Sequence, residues 1–131
     1  MKHMSTKVCM TKDIGVHDNL FGGNLMSWMD EAAACYACLE CDTPNMITLK
    51  VSEILFKHPI KVGDIVSITC ETVKMGTTSI TIKTDINRYK QKERDGILAA
   101  TAELVFVRID GDGESKAIDK EIRDRWHEKQ N

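Results

Sequence analysis

The sequence offers little that would carry a nucleic acid, a membrane or an export route. Its 18 basic and 20 acidic residues leave a formal net charge of −2, so no basic field exists for a phosphate backbone to meet. No apolar run approaches the roughly 20 residues of a membrane span. The first residues lack the charged-then-apolar pattern of a secretion signal. Proline is scarce, with Pro44 and Pro59 the only two. Internal repeats and low-complexity tracts are missing as well, so the 131 residues are expected to form one domain with enough chain for a core. Five cysteines without a secretion signal read as reduced thiols in a cytoplasmic protein.

What is present is a change of period along the chain. Residues 1–4 read as a disordered start and 5–11 as a first strand bearing Val8, Cys9 and Met10. Asp13, Gly15, Asp18 and Asn19 make 12–20 a loop. A helix is expected over about 23–40, stopped at Asp42-Thr43-Pro44-Asn45 because Pro44 biases Thr43 away from helical angles. Trp28, Met29, Ala32, Ala33, Tyr36 and Ala37 make it apolar nearly all round. The period then falls from 3.6 to 2. Residues 46–57, 64–74, 79–89 and 97–109 read as strands, separated by Pro59 with Gly63-Asp64, by Met75-Gly76-Thr77-Thr78 and by a charged loop from Lys90 to Gly96. Asp110-Gly111-Asp112-Gly113 is a turn, and Ile118, Ile122 and Trp126 give 117–128 one apolar face.

Four strands joined by short turns imply an antiparallel sheet. One sheet covering one long helix is an α+β layer. The core is expected over about 5–116, with 117–128 as a C-terminal helix on the same domain. A helix apolar all round needs more cover than one sheet face gives, so at least a dimer is expected.

The helix carries the sharpest chemical signal. Gly22-Gly23 open it, and a glycine-opened N-terminus presents free backbone N–H groups. Asp30 follows two turns later, with Met26, Ser27, Ala33, Ala34 and Ala37 at helical spacing. A carboxylate on a small, apolar helix face is costly unless it is paired, hydrogen-bonded or used.

Leu20-Phe21-Gly22-Gly23 followed by Met26-Ser27-Trp28-Met29-Asp30-Glu31-Ala32-Ala33 resembles the acyl-CoA thioesterase family of the hotdog fold, in which a curved antiparallel sheet wraps a central helix. Further pieces match in order: Phe56-Lys57-His58-Pro59-Ile60 with Val62-Gly63-Asp64, then Gly76-Thr77-Thr78-Ser79, then Ala99-Ala100-Thr101-Ala102 leading to Phe106-Val107. The resemblance runs from about residue 8 to residue 118. It implies hydrolysis of acyl-coenzyme A to a free acid and coenzyme A, with no metal and no cofactor beyond the substrate's own coenzyme A. It implies that Asp30 acts as general base or nucleophile, and that the amide of Gly22 or Gly23 polarises the thioester carbonyl. It also implies a site at a dimer interface, in a dimer, a trimer of dimers or a tetramer. There Gly76, Thr77, Thr78 and Ser79 of a partner subunit would line the pantetheine channel. Lys57, His58 and Arg88 are then candidates for the coenzyme phosphates, with Lys90 a further one. Relatives often carry an Asn at the position of Gly15, and His17 and Asn19 are the polar residues near enough to replace it in positioning water or substrate. A carboxylate common early in the second strand is Ser52 here, beside Glu53.

Other readings of the same residues stand beside these. A non-catalytic acyl-CoA binding module fits the fold and the loss of Asn at Gly15. A hydratase of enoyl thioesters shares the fold but uses an Asp/His pair on a different motif. Cys35-x-x-Cys38-x-x-Cys41 has a metal-like spacing, but it lies largely inside the helix with no fourth ligand, so small buried hydrophobes are the better reading.

Overall fold

The computed structural model describes residues 1–90, 92 and 95–131; residues 91, 93 and 94 of the expected charged loop lie outside the described residues. The chain runs β1 (Lys2–Val8), a 3-10 turn (Thr11–Asp13), α1 (Gly22–Glu40), β2 (Met46–Val51), β3 (Leu55–Phe56), β4 (Ile65–Met75), β5 (Ser79–Tyr89), β6 (Ile97–Arg108) and α2 (Lys120–Lys129). The strands form one antiparallel sheet in the order β1-β4-β5-β6-β2, with β3 also paired to β6. α1 lies across one face of that sheet. This is the hotdog arrangement.

The alternation read from the sequence decides which face meets α1. Val66, Ile68 and Cys70 of β4, Ile80, Ile82, Thr84 and Ile86 of β5, and Ala100, Ala102, Leu104 and Phe106 of β6 are all buried. α1 answers with Leu25, Met29, Ala32, Ala33, Tyr36 and Ala37, spaced at one or two turns. Three alanines in that row let the helix sit close to the sheet. Each fully buried Ile, Leu or Phe contributes about 1.5–3 kcal/mol relative to exposure. Tyr36 closes the packing with a polar tip, its hydroxyl accepting from the Thr72 amide at 2.9 Å.

The opposite stripe of α1 is bare in the single chain. Gly23, Met26, Ser27, Glu31, Cys35 and Leu39 are exposed. The helix is therefore buried on one side here, and its outer apolar residues are left for another surface.

The structure corrects three expectations. The first residues are not disordered, and the first strand is Lys2–Val8 rather than 5–11. It is an edge strand held to β4 by backbone pairing, from Lys2 opposite Cys70 to Val8 opposite Ile65. Backbone bonds need no apolar alternation, so a polar segment can be a strand; Lys7 also lays its Nζ over the Trp28 ring at 5.5 Å. The run 46–57 is two strands on one edge. The Ser52 hydroxyl accepts from the Glu103 amide at 2.8 Å, taking a ladder acceptor's place where the backbone breaks. The C-terminal helix begins at Lys120, not 117, and Ile118 precedes it as a fully buried anchor.

Candidate active site

The start of α1 is uncapped. Phe21 occupies the N-cap with extended angles (φ −64°, ψ 133°), and no side chain there accepts from the first amides. Most helices use Ser, Thr, Asp or Asn at this position. Here the N–H groups of Gly22 and Gly23 have no partner among the described residues. Neither glycine has positive φ; that conformation occurs at Gly63 and Gly113 instead. A Cβ at Gly22 would meet the tip of the Phe56 ring at 3.8 Å, an ordinary contact. A Cβ at Gly23 would come within 2.9 Å of the exposed Phe21 ring. So neither backbone conformation nor packing demands glycine at 22, the first helical residue.

Beside this N-terminus opens a cleft of about 290 Å³, lined by Asn19, Leu20, Leu25, Phe56, Lys57, His58, Pro59 and Ile60. Asn19 has its Oδ1 buried in the protein with no hydrogen-bond partner among the described residues. Lys57 and His58 are exposed at the rim, their amides both directed at the Ala99 carbonyl. His17 is exposed on the neighbouring loop, which closes on itself through the Gly15 amide and the Asn19 carbonyl at 2.9 Å.

Asp30 is half-buried further along α1. The Thr48 hydroxyl donates to its Oδ1 at 2.7 Å. The sequence reading missed Thr48, although a signal existed. The alternation that turns Met46 toward the core turns Thr48 to the same side, where the acid of α1 is waiting.

Arg88 is misplaced by the sequence reading as a phosphate contact at a channel mouth. It is 8% exposed, and its guanidinium donates to the Pro59 carbonyl at 2.9 Å. Along β5 it keeps step with Ile82, Thr84 and Ile86, so the pleat carries it inward, where it braces the 57–60 segment from beneath. Lys57 and His58 are the members of that set that face solvent.

Gly76, Thr77, Thr78 and Ser79 form the hairpin turn between β4 and β5, with the Gly76 amide donating to the Ser79 carbonyl at 2.8 Å. β5 separates this turn from the helix start. Nine residue steps from Ser79 to Arg88 span about 30 Å at the rise of a strand. Within one chain the turn and the Gly22 cleft cannot meet the same carbonyl.

The cysteines do not form a common cluster of buried hydrophobes. Cys41 and Cys70 are buried, Cys38 is half-buried and Cys35 is exposed. Burial pushes the Cys41 thiol up to about 11 and raises those of Cys70 and Cys9 as well. These three should remain protonated and shielded at neutral pH. N-ethylmaleimide is thus expected to add to no thiol beyond Cys35 and Cys38 in the native protein, and to all five after denaturation, as read by intact mass. A third adduct without unfolding would contradict this burial.

A family model described as the thioesterase superfamily matches residues 17–94, which include the helix, the cleft and the turn. The chain belongs to the thioesterase superfamily. An uncharacterized acyl-CoA thioester hydrolase of Buchnera aphidicola subsp. Schizaphis graminum is 33% identical over 112 residues, covering 83% of this chain and 82% of its own. The acyl-CoA thioester hydrolase YciA of Salmonella typhimurium is 31% identical over 122 residues, covering 85% of each. Among solved structures, a hexameric hotdog fold thioesterase of Campylobacter jejuni superposes with a TM-score of 0.86 at 27% identity, covering 98% of this chain and 97% of that one. This thioesterase superfamily member thus shares its fold with the Campylobacter thioesterase over nearly the whole length of both chains.

Proposed function

We propose that this protein hydrolyses acyl-coenzyme A thioesters, releasing a free carboxylic acid and coenzyme A. The observation that carries the reading is the start of α1: two unpaired amides, uncapped, behind a glycine that the fold itself does not require. Such a terminus suits the negative charge that builds on a thioester oxygen during attack. Asp30, aligned by Thr48, takes the proton from the attacking water, or attacks the carbonyl carbon itself to give an anhydride that water then opens. In either route the carbon–sulfur bond breaks, and the thiolate leaves and is protonated.

The two halves belong to different subunits. Eight residues separate Gly22 from Asp30, about 12 Å along a helix axis. The carbonyl under attack has to keep its oxygen within hydrogen-bond reach of the donor amide and its carbon within reach of Asp30, directly or through one water, a span well short of about 12 Å. A partner's Gly22 brought beside Asp30 resolves the distance. The apolar edge supports such a partner: Leu49 and Phe56 are 65% and 62% exposed, with Ile47, Val51, Leu55 and Met26 exposed around them. The Campylobacter neighbour is hexameric, in line with three dimers here. A partner's Gly76–Ser79 turn then holds the pantetheine arm, while Lys57 and His58 meet phosphate. Asn19, which lines the cleft and has an unpaired buried oxygen, is the better of the two polar candidates near Gly15; His17 is exposed and does not line the cleft. A Staphylococcus aureus acyl-CoA hydrolase, 25% identical with a TM-score of 0.82 over 96% of this chain and 84% of that one, was solved with butyryl coenzyme A and coenzyme A, which fits this substrate class.

The test is thiol release from a panel of acyl-CoAs of increasing chain length, with coenzyme A binding measured alongside. Turnover of at least one chain length is expected. Binding without release at every length would leave a non-catalytic acyl-CoA module, and loss of enoyl absorbance without thiol release would leave a hydratase.

A further inference from the structure

The Gly76–Ser79 turn is fastened from behind by the end of the chain. After β6 the segment 116–119 returns alongside it. The Lys116 amide donates to the Arg108 carbonyl at 2.8 Å, and the Ile118 amide donates to the Thr77 carbonyl at 2.8 Å. The Arg108 amide takes the Thr78 carbonyl at 2.9 Å. The Arg108 guanidinium holds the returning segment, donating to the Ala117 carbonyl at 3.1 Å and to Asp119 Oδ1 at 3.2 Å. Ile118 anchors it with a fully buried side chain.

This fastening takes two acceptors out of the turn and leaves two amide donors free. Both central carbonyls, of Thr77 and Thr78, are consumed by the chain. The Thr77 and Thr78 amides have no partner among the described residues. Thr77 is exposed and Thr78 half-buried. The two threonine amides, with their hydroxyls beside them, are the donors left over at the tip, so the turn suits a ligand that arrives with acceptor oxygens.

We propose that the C-terminal segment 116–119, clamped by Arg108 and anchored by Ile118, presets the Gly76–Ser79 turn with its free Thr77 and Thr78 amides turned to the acceptor oxygens of the coenzyme A arm. Arg108 and Ile118 are then positioning residues: they touch no substrate and act through the turn. This rests on the acyl-CoA reading above and goes beyond it by assigning the C-terminal segment a task in binding. The accepting oxygens belong either to the outer, pantoyl end of the pantetheine arm, which N-acetylcysteamine lacks, or to the pyrophosphate.

The test uses Arg108→Ala and Ile118→Ala in the full chain, with calorimetric binding of free coenzyme A and steady-state kinetics. The substrates are one acyl group on coenzyme A, on pantetheine and on N-acetylcysteamine. Kd for coenzyme A and KM for acyl-CoA are expected to rise about tenfold, with kcat within about twofold of wild type and kcat/KM for the N-acetylcysteamine thioester unchanged. A matching rise on acyl-pantetheine assigns the contact to the pantoyl end; a rise confined to acyl-CoA assigns it to the pyrophosphate. Arg108→Lys, which keeps one donor in reach, should recover part of the loss. If Ile118→Ala does not fold, Arg108→Ala carries the test alone. Wild-type coenzyme A affinity in a folded Arg108→Ala protein, or an equal loss on all three substrates, would overturn the proposal. Because coenzyme A binding is read without turnover, a wild type that binds and never hydrolyses would remove the enzymatic reading and leave this one still decidable.

Discussion

Asp30→Asn should lower kcat for acyl-CoA hydrolysis by about 10²- to 10⁴-fold, the usual contribution of a positioned general base. Asn keeps the size of the side chain and an oxygen that can still accept from the Thr48 hydroxyl, the 2.7 Å contact that aligns Asp30. It removes the negative charge and the capacity to take a proton or form an anhydride. The fold should hardly notice. Asp30 is half-buried on the flank of α1 that faces the edge strand β2, beside the row of Leu25, Met29, Ala33 and Ala37 rather than in it. Asp30→Ala should lose activity to a similar extent and leave the Thr48 hydroxyl without its acceptor. The check is thiol release under saturating substrate, with the melting temperature compared to wild type. Near-normal turnover in a folded Asp30→Asn protein would remove Asp30 from the chemistry.

The second large effect should come from Gly22→Pro. Gly22 is the first helical residue, and proline is favoured at that position because its missing N–H would have no intrahelical partner. Phe21 before it already has the extended angles that a following proline demands. The substitution therefore removes one amide hydrogen while leaving helix and loop in place. If the Gly22 amide meets the developing oxyanion, kcat should fall by about 10²- to 10³-fold, the cost of losing one such donor. Gly22→Ala retains the N–H and adds a methyl group at 3.8 Å from Phe56, so it separates loss of the donor from loss of space. Unchanged turnover in Gly22→Pro would shift the oxyanion role to Gly23.

Much of this was legible in the sequence, for a reason that can be named residue by residue. Where one face is buried and the other is wet, periodicity records the fact. Ile80, Ile82, Thr84 and Ile86 alternate along the inner face of β5, and Met29, Ala32, Ala33, Tyr36 and Ala37 marked α1 as a buried helix, although which side meets the sheet came only with the structure. Gly22-Gly23 and Asp30 stood out because a glycine pair and an acid are out of place on an apolar helix. What was hidden is held by bonds that leave no periodic mark. β1 is joined mainly through backbone pairing, so residues 1–4 looked like a loose end. The break between β2 and β3 depends on one hydroxyl, that of Ser52, replacing a backbone acceptor. Thr48 becomes important only once the sheet edge is laid against α1. Arg88 was open to a correct reading, since the alternation of β5 carries it inward; its charge suggested the surface and the pleat overruled it. The fastening of the Gly76–Ser79 turn joins residues about thirty to forty positions apart, beyond the reach of any local pattern.

The division of the site between subunits is tested most directly by mixing two inactive parents. Asp30→Ala and Gly22→Pro chains carrying different tags would be refolded together and assayed for coenzyme A release. If one subunit's Gly22 works with its partner's Asp30, each mixed pair contains one intact site, and a random mixture should recover about one quarter of the wild-type rate. A mixture no more active than its parents, with mixed assemblies shown to be present, would place Gly22 and Asp30 in the same subunit's site and contradict the shared arrangement.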